Sequence, residues 1–372
     1  MVEREQVQIT GVHALSALGR GADALLAGVL AGTPAFAPVR RFDTTGRRVT
    51  VAATLPEVGT LADELADAVD VACRTVGLDR AGRAEAALFL ATHGGPPSLP
   101  GGGPETPALA GHLARRGGLA DRTRVYTTAC VSASTAVADA ATLIGRGDLD
   151  RVVVAAGYLV EPDQYALFDA GRAFAADGAV RPLSAGRQGL LLGDGVVAVV
   201  LESATAAVRR GAPALATVRG WGRAGDAYHP CQPDPDGRGL ARAVDAALRR
   251  AGLPAGAVGY VNANATGTSY SDASEAAALR RVFGDLADRL PVSSTKSVHG
   301  HALEASGLLE LVVTVLALRH GKLPVNAGFL APDEACPLDV ITDAPRPTPT
   351  PYALTLNAAF GGANTALLVG AP

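Results

Sequence analysis

The stretch Tyr126-Thr127-Thr128-Ala129-Cys130-Val131-Ser132-Ala133-Ser134 places one cysteine among small residues, at the point where an apolar-periodic segment begins. Downstream, Ala133 to Ile144 has helical composition, and Arg151-Val152-Val153-Val154-Ala155-Ala156 reads as a strand apolar on both faces. Upstream, Ala86-Ala87-Leu88-Phe89-Leu90-Ala91 is a second such strand and runs into the polar Thr92-His93-Gly94-Gly95. Strands buried on both faces belong to parallel or mixed sheets covered by helices, so the surroundings of Cys130 predict an α/β fold.

The same alternation extends to both ends. Val7-Gln8-Ile9-Thr10 reads as a short strand running into Gly11, and Ala22 to Leu30 and Leu61 to Val76 carry helical spacing. Pro96 to Pro107, rich in Gly and Pro, reads as a surface loop, and Gly195 to Leu201 as another buried strand. The plan then repeats, with a strand at Ala216 to Gly220 and a helix with an arginine-rich outer face at Gly239 to Ala251. Gly259 to Ala263 is a strand ending in a polar loop, and Asp272 to Phe283 a helix capped by Ser271 or Asp272. A further helix covers Ala305 to Arg319, and Leu354 to Val369 forms two strands separated by Gly361-Gly362. Two similar βαβαβ-type halves, residues 1–205 and 206–372, predict a layered body with a site where the polar strand ends converge.

Composition narrows the chemistry. At 372 residues the chain can bury a large core, and a net charge of -3 with 19% charged residues gives no field for nucleic acid or anionic membrane. No charged-then-apolar leader and no apolar run of spanning length is present, so a cytoplasmic location is expected. Cys73, Cys130, Cys231 and Cys336 are scattered, without a CxxC pair or clustered histidines, so neither a disulfide nor a metal site is expected. No Gly-rich nucleotide motif follows a strand, and Gly193 and Gly195 read as turn glycines.

A free cysteine is usually a small buried hydrophobe, and Cys73, Cys231 and Cys336 fit that description. Cys130 differs in sitting where a helix begins, where orphan N–H groups and the helix dipole lower a thiol pKa and favour the thiolate. His13, His93, His112 and His320 read as surface or structural residues, while His229, before Pro230, lies in a loop bordering the expected site.

Polar stretches after strands or before helices occur at Thr128 to Ser134, Asn262 to Asp272, Ser293 to Gly307 and Asn357 to Asn364. Together they resemble the β-ketoacyl-acyl-carrier-protein synthases of the thiolase superfamily. Val292-Ser293-Ser294-Thr295-Lys296-Ser297-Val298-His299-Gly300-His301 matches that family's lysine and histidine motif, and Ala305 to Glu310 continues it through the usual glutamate. Phe360-Gly361-Gly362-Ala363-Asn364 matches its Gly-rich loop, and Gly189 to Gly195 its glycine and acid motif, which follows Arg181-Pro182. Arg41-Phe42-Asp43-Thr44 and Pro332 to Asp339 also fit.

The resemblance implies a thiolase-like fold with α-β-α-β-α layering and a thioester formed on Cys130. It implies an oxyanion hole from the backbone N–H groups of Cys130 and Phe360, with His301 orienting the thioester and Lys296 and Glu310 fixing its surroundings and tautomer. Thr266 and Thr268 would contact the pantetheine arm, and Leu190, standing for a common Phe, would border the acyl pocket. The implied partners are an acyl carrier protein or acyl-CoA and a second subunit, in a homodimer or a heterodimer with a ketosynthase. No cofactor is implied beyond the phosphopantetheine or CoA that carries the substrate.

The chain departs from the pattern at Asn264-Ala265-Thr266-Gly267-Thr268, where the family carries its first catalytic histidine in place of Asn264. Asparagine can donate a hydrogen bond but cannot exchange a proton near neutral pH. Acyl transfer to Cys130 is therefore expected to survive and decarboxylation to be impaired. Superfamily enzymes with a Cys-His-Asn set do condense, but their asparagine fills the slot held here by His301. His299 and Glu304 replace small residues, and a partial substitution of His299 for the missing imidazole is one expectation. The segment between Ala91 and Tyr126 is short, which alters the acyl pocket and its subunit-side wall. The resulting expectation is an acyltransferase that does not elongate by decarboxylation. The alternatives are a decarboxylating synthase that tolerates Asn264 and a non-catalytic chain-length partner, the latter disfavoured by Cys130.

Overall fold

The computed structural model describes residues 5–93, 106–348 and 350–372. In the first half the strands are β1 (Val7–Ser16), β2 (Ala87–Ala91), β3 (Thr123–Tyr126), β4 (Arg151–Tyr158) and β5 (Gly195–Ser203). In the second they are β6 (Ala216–Gly225), β7 (Tyr260–Asn262), β8 (Pro291–Ser293), β9 (Tyr352–Ala359) and β10 (Ala363–Gly370). Spatial order is β1-β5-β4-β2-β3 in one half and β6-β10-β9-β7-β8 in the other. In each half the first two pairings are antiparallel and the next two parallel, so the second half repeats the topology of the first. A short antiparallel pairing of β1 with β6 joins them.

The helices that matter for the site are α1 (Leu61–Thr75), α2 (Ser132–Gly145), α3 (Arg238–Ala251), α4 (Ser269–Phe283) and α5 (Ser306–His320). Period-2 patterning sorts the strand side chains between layers. In β5, Val196, Ala198 and Val200 face a cluster with Leu65 and Val69 of α1, while Val197, Val199 and Leu201 face a second cluster containing α2 and α5. In β10, Leu367 and Val369 join that same central cluster, while Ala366 and Leu368 face α3 and α4. The two central helices pack on strands of both halves, which gives the α-β-α-β-α layering. Every residue of α5 from Ser306 to Leu318 is buried, as expected of a helix between two sheets. By contrast α3 buries Leu240, Ala243, Val244, Ala247 and Leu248 at helical spacing and turns its arginines outward.

The structure corrects the sequence reading at several points. Strand β1 continues past Gly11 to Ser16, with a bulge between Ile9 and Gly11 absorbing the irregularity. Helix Thr106–Gly117 and strand β3 were not expected, because glycines and charges break their apolar periodicity. Most of the loop expected over 96–107 lies outside the described residues. Helix α4 begins at Ser269, and the Asp272 side chain turns inward instead of capping it. No helix among the described residues is long and apolar enough to cross a membrane.

Candidate active site

Cys130 occupies a 3₁₀ turn, Ala129–Val131, between β3 and α2. Ala129 has φ 49, in the left-handed region that non-glycine residues rarely adopt, so the turn holds local strain next to the thiol. The sulfur lies 3.2 Å from Nε2 of His301, and His301 Nδ1 lies 2.8 Å from Ser306 Oγ. The His301 backbone is fixed by a pairing the sequence could not show. Its N–H donates to the Leu191 carbonyl at 2.8 Å, and its own carbonyl accepts from the Gly193 N–H at 3.0 Å. The glycine and acid motif is thus docked on the lysine and histidine motif. Gly193 serves that close approach rather than a turn, since a Cβ there would sit 2.0 Å from the His299 carbonyl oxygen.

The expected lowering of the Cys130 pKa is reversed. Burial pushes the thiol up to about 12, the Glu304 carboxylate adds to the rise, and Lys296 opposes it. A helix start contributes at most about 2 kcal/mol in partly buried geometries, whereas desolvating an ion costs several kcal/mol. Burial, with Lys296 and His299 nearby, holds the His301 imidazole well below its usual value, so the ring is neutral.

Lys296 and Glu310 form a buried pair, Nζ to Oε1, at 2.5 Å. Burial raises the Glu310 carboxyl, while Lys296 and the Asn357 amide pull it down. Asn357 Nδ2 donates to Glu310 Oε2 at 2.7 Å, and Ser134 Oγ donates to Asn357 Oδ1 at 2.5 Å, so a polar chain runs back to α2. Gly307 makes room for it, since a Cβ there would fall 2.2 Å from Ser134 Oγ. Lys296 also reaches Asn264 Oδ1 at 3.4 Å. These contacts differ from the expected ones: the His301 ring nitrogens meet Cys130 and Ser306, not Lys296 or Glu310.

Asn264 stands in the cavity wall, its N–H donating to Glu275 Oε1 at 2.8 Å. Lysine carries donors only, so the amide oxygen faces Lys296 and the NH₂ is left for the cavity side. His299 does not substitute for an imidazole at 264. It is fully buried, and its ring nitrogens lie 2.9 Å from the Gly300 carbonyl and 3.0 Å from Thr295 Oγ1.

One cavity of about 410 Å³ brings together Cys130, His301, Asn264, Thr266, Thr268, Leu190 and Phe360. The two threonine hydroxyls lie 3.0 Å apart, and their loop is held by Asp272, which accepts the N–H groups of Thr266, Gly267 and Leu183. Burial raises the Asp272 carboxyl to about 6. Phe360 is 56% exposed, and its ring stacks on Phe168 at 6.1 Å. Cys231, expected to be buried, is exposed and lines the same cavity, in a loop shaped by His229 Nδ1 accepting the Cys231 and Gln232 N–H groups.

Residues 81–207 match the family model for the β-ketoacyl synthase N-terminal domain, and residues 215–330 the model for its C-terminal domain. The chain belongs to the β-ketoacyl synthase family. The first matched region carries Cys130 and the second carries Asn264, Lys296, His301 and Glu310. The chain is 39% identical over 254 residues to the tetracenomycin polyketide synthase ketoacyl synthase alpha subunit of Streptomyces glaucescens, covering 67% of this chain and 60% of the relative. It is 35% identical over 248 residues to 3-oxoacyl-[acyl-carrier-protein] synthase 2 of Staphylococcus aureus, covering 65% and 61%. These alignments span about 60% of the length of the curated relatives. Among solved structures, the ishigamide ketosynthase/chain length factor superposes with a TM-score of 0.89 at 29% identity, covering 99% of this chain and 100% of that one. A β-ketoacyl synthase from Burkholderia phymatum STM815 gives 0.89 at 27%, with the same coverage. The fold is thiolase-like.

Sequence reasoning missed Ser306, Ser134, Asn357, Asp272 and Glu275 as members of the site. All fall within or beside the polar stretches it had marked, but nothing in their spacing shows which atoms they meet.

Proposed function

We propose that this β-ketoacyl synthase is an acyltransferase that loads an acyl group on Cys130 and passes it on without decarboxylative elongation. The Cys130 sulfur attacks the thioester carbon, the new C–S bond forms as the pantetheine sulfur leaves, and the thiol proton passes to that departing sulfur in the same step. The backbone N–H groups of Cys130 and Phe360 hold the oxyanion, and the pantetheine arm lies along Thr266 and Thr268. The acyl chain runs past Leu190, and an acceptor thiol, amine or hydroxyl then takes the acyl group and restores the free cysteine.

One observation carries this reading: Asn264 presents an amide where the family carries an imidazole, and His301 is the one histidine lining the cavity among the described residues. A malonyl carboxylate lost as carbon dioxide leaves a carbanion that needs two good donors on the thioester oxygen. A neutral amide is a weaker partner there than a second imidazole. Decarboxylative condensation is the second reading, supported by Asn264 and His301 both lining the cavity, so that two neutral donors can meet one oxygen. A chain-length partner is a further possibility suggested by the ishigamide ketosynthase/chain length factor, and the cavity-facing Cys130 speaks against it.

The substrate is delivered by an acyl carrier protein or by CoA, and the second subunit is another copy or a ketosynthase. Among the described residues strand β3 ends the sheet with one edge unpaired, a surface suited to strand pairing with such a subunit. Incubation with an acyl thioester, followed by intact mass and then by addition of a thiol or amine acceptor, tests the proposal. A Cys130-dependent adduct that the acceptor removes is expected. No adduct with any acyl thioester overturns it.

A further inference from the structure

We propose that Ser306 is a positioning residue that sets the tautomer of His301, so that Nε2 carries the proton and donates toward the Cys130 sulfur. The partners of the Ser306 hydroxyl decide where the His301 proton sits. Ser306 is the first residue of α5 and is fully buried. The chain turns back on itself through Leu303, whose φ of 42 lies in the left-handed region, and this brings Ser306 Oγ within reach of two groups at once. Its oxygen accepts the Ala302 N–H at 3.0 Å and lies 2.8 Å from His301 Nδ1.

A hydroxyl has one proton to donate. With the Ala302 N–H already on the oxygen, that proton finds its acceptor in His301 Nδ1. The opposite assignment, Nδ1–H donating to Ser306, would use both oxygen lone pairs as acceptors and strand the hydroxyl proton in a buried site. A neutral ring whose Nδ1 accepts must carry its proton on Nε2, the atom 3.2 Å from Cys130 Sγ.

The chemical consequence separates two roles. In this tautomer His301 cannot take the Cys130 proton, because Nε2 already holds one. It instead donates a hydrogen bond to the cysteine sulfur and, once the cysteine is acylated, to the thioester oxygen. Lys296 and Glu310 act on the Asn264 side of the cavity and leave the tautomer to Ser306.

The inference takes its catalytic meaning from the proposed acyl transfer at Cys130, but its test needs no substrate. Long-range ¹H–¹⁵N correlation spectra of histidine-labelled protein, with His301 assigned by its loss in His301→Gln, read the tautomer directly. Wild type is expected to show the Nε2–H form alone. Ser306→Ala is expected to gain the Nδ1–H form, and Ser306→Thr, which keeps a hydroxyl, to restore the wild-type pattern. The buried His299 resonances in the same spectra report whether each variant is folded. Acylation of Cys130 is expected to fall roughly tenfold in Ser306→Ala with KM for the thioester little changed, less than the about 10²–10⁴-fold of general acid–base catalysis because His301 supplies a hydrogen bond and not a proton transfer. An Nδ1–H form in wild type, or an unchanged Nε2–H form in folded Ser306→Ala, would overturn the inference. Failure of acyl transfer alongside the expected spectra would overturn the proposed function and leave the tautomer assignment standing.

Discussion

Lys296 Nζ lies 2.5 Å from Glu310 Oε1, with both side chains shut off from solvent between the two sheets. Among the described residues the lysine links this buried carboxylate to the asparagine in the cavity wall. Its loss should therefore act on stability and on the site together.

Lys296→Met removes the positive partner and leaves a buried carboxylate held by Asn357 alone. Breaking a buried pair by one member costs about 3–5 kcal/mol, so a large fall in denaturant midpoint is expected. The double variant Lys296→Met/Glu310→Gln removes both charges and should recover most of the loss. Equal stability of the single variant and wild type would show that the pair is not formed.

Asn264→His places an imidazole on the cavity wall beside Lys296. A positioned second imidazole contributes about 10²–10⁴-fold to proton-coupled steps, and at least a tenfold gain in carbon dioxide release from a malonyl thioester is expected. The rate of acyl loading on Cys130 should change little. No gain in a folded variant would mean that the slot at 264 does not limit decarboxylation.

Glu275 accepts the Asn264 N–H through Oε1, while Oε2 finds no partner among the described residues, and burial raises this carboxyl to about 8. A carboxyl raised on folding binds a proton that the unfolded chain has already released. Its contribution to stability is therefore full below the ordinary carboxyl value and is lost as pH rises toward about 8. Thermal midpoints should fall between pH 6 and 8, above the window of Asp272 at about 6. Glu275→Gln should flatten that fall; an unchanged slope would assign it to other groups.

The α/β alternation, the two halves and most central elements were legible because buried strands and largely apolar helices leave runs such as Val196–Leu201 and Leu308–Leu318, the latter broken only by Glu310 and Thr314. Cys130, Asn264, Lys296, His301, Glu310 and Phe360 could be marked by motif, and the fold brings them around one small region. What the sequence concealed are relations between motifs. Gly193 meets His299 across a chain separation that no local pattern records, and His299 turns into the core although it sits two residues from His301. The thiol environment was misjudged because a helix start is visible in sequence, whereas burial and the placement of Glu304 are not.

The most direct measurement is the release of labelled carbon dioxide from a malonyl thioester, run beside the formation of a Cys130 adduct from an acyl thioester. Transfer without elongation predicts a prompt acyl adduct, lost in Cys130→Ala, with carbon dioxide release no faster than in the absence of protein. Rapid release of carbon dioxide by the wild-type chain, with a condensed product on the acceptor, would contradict it.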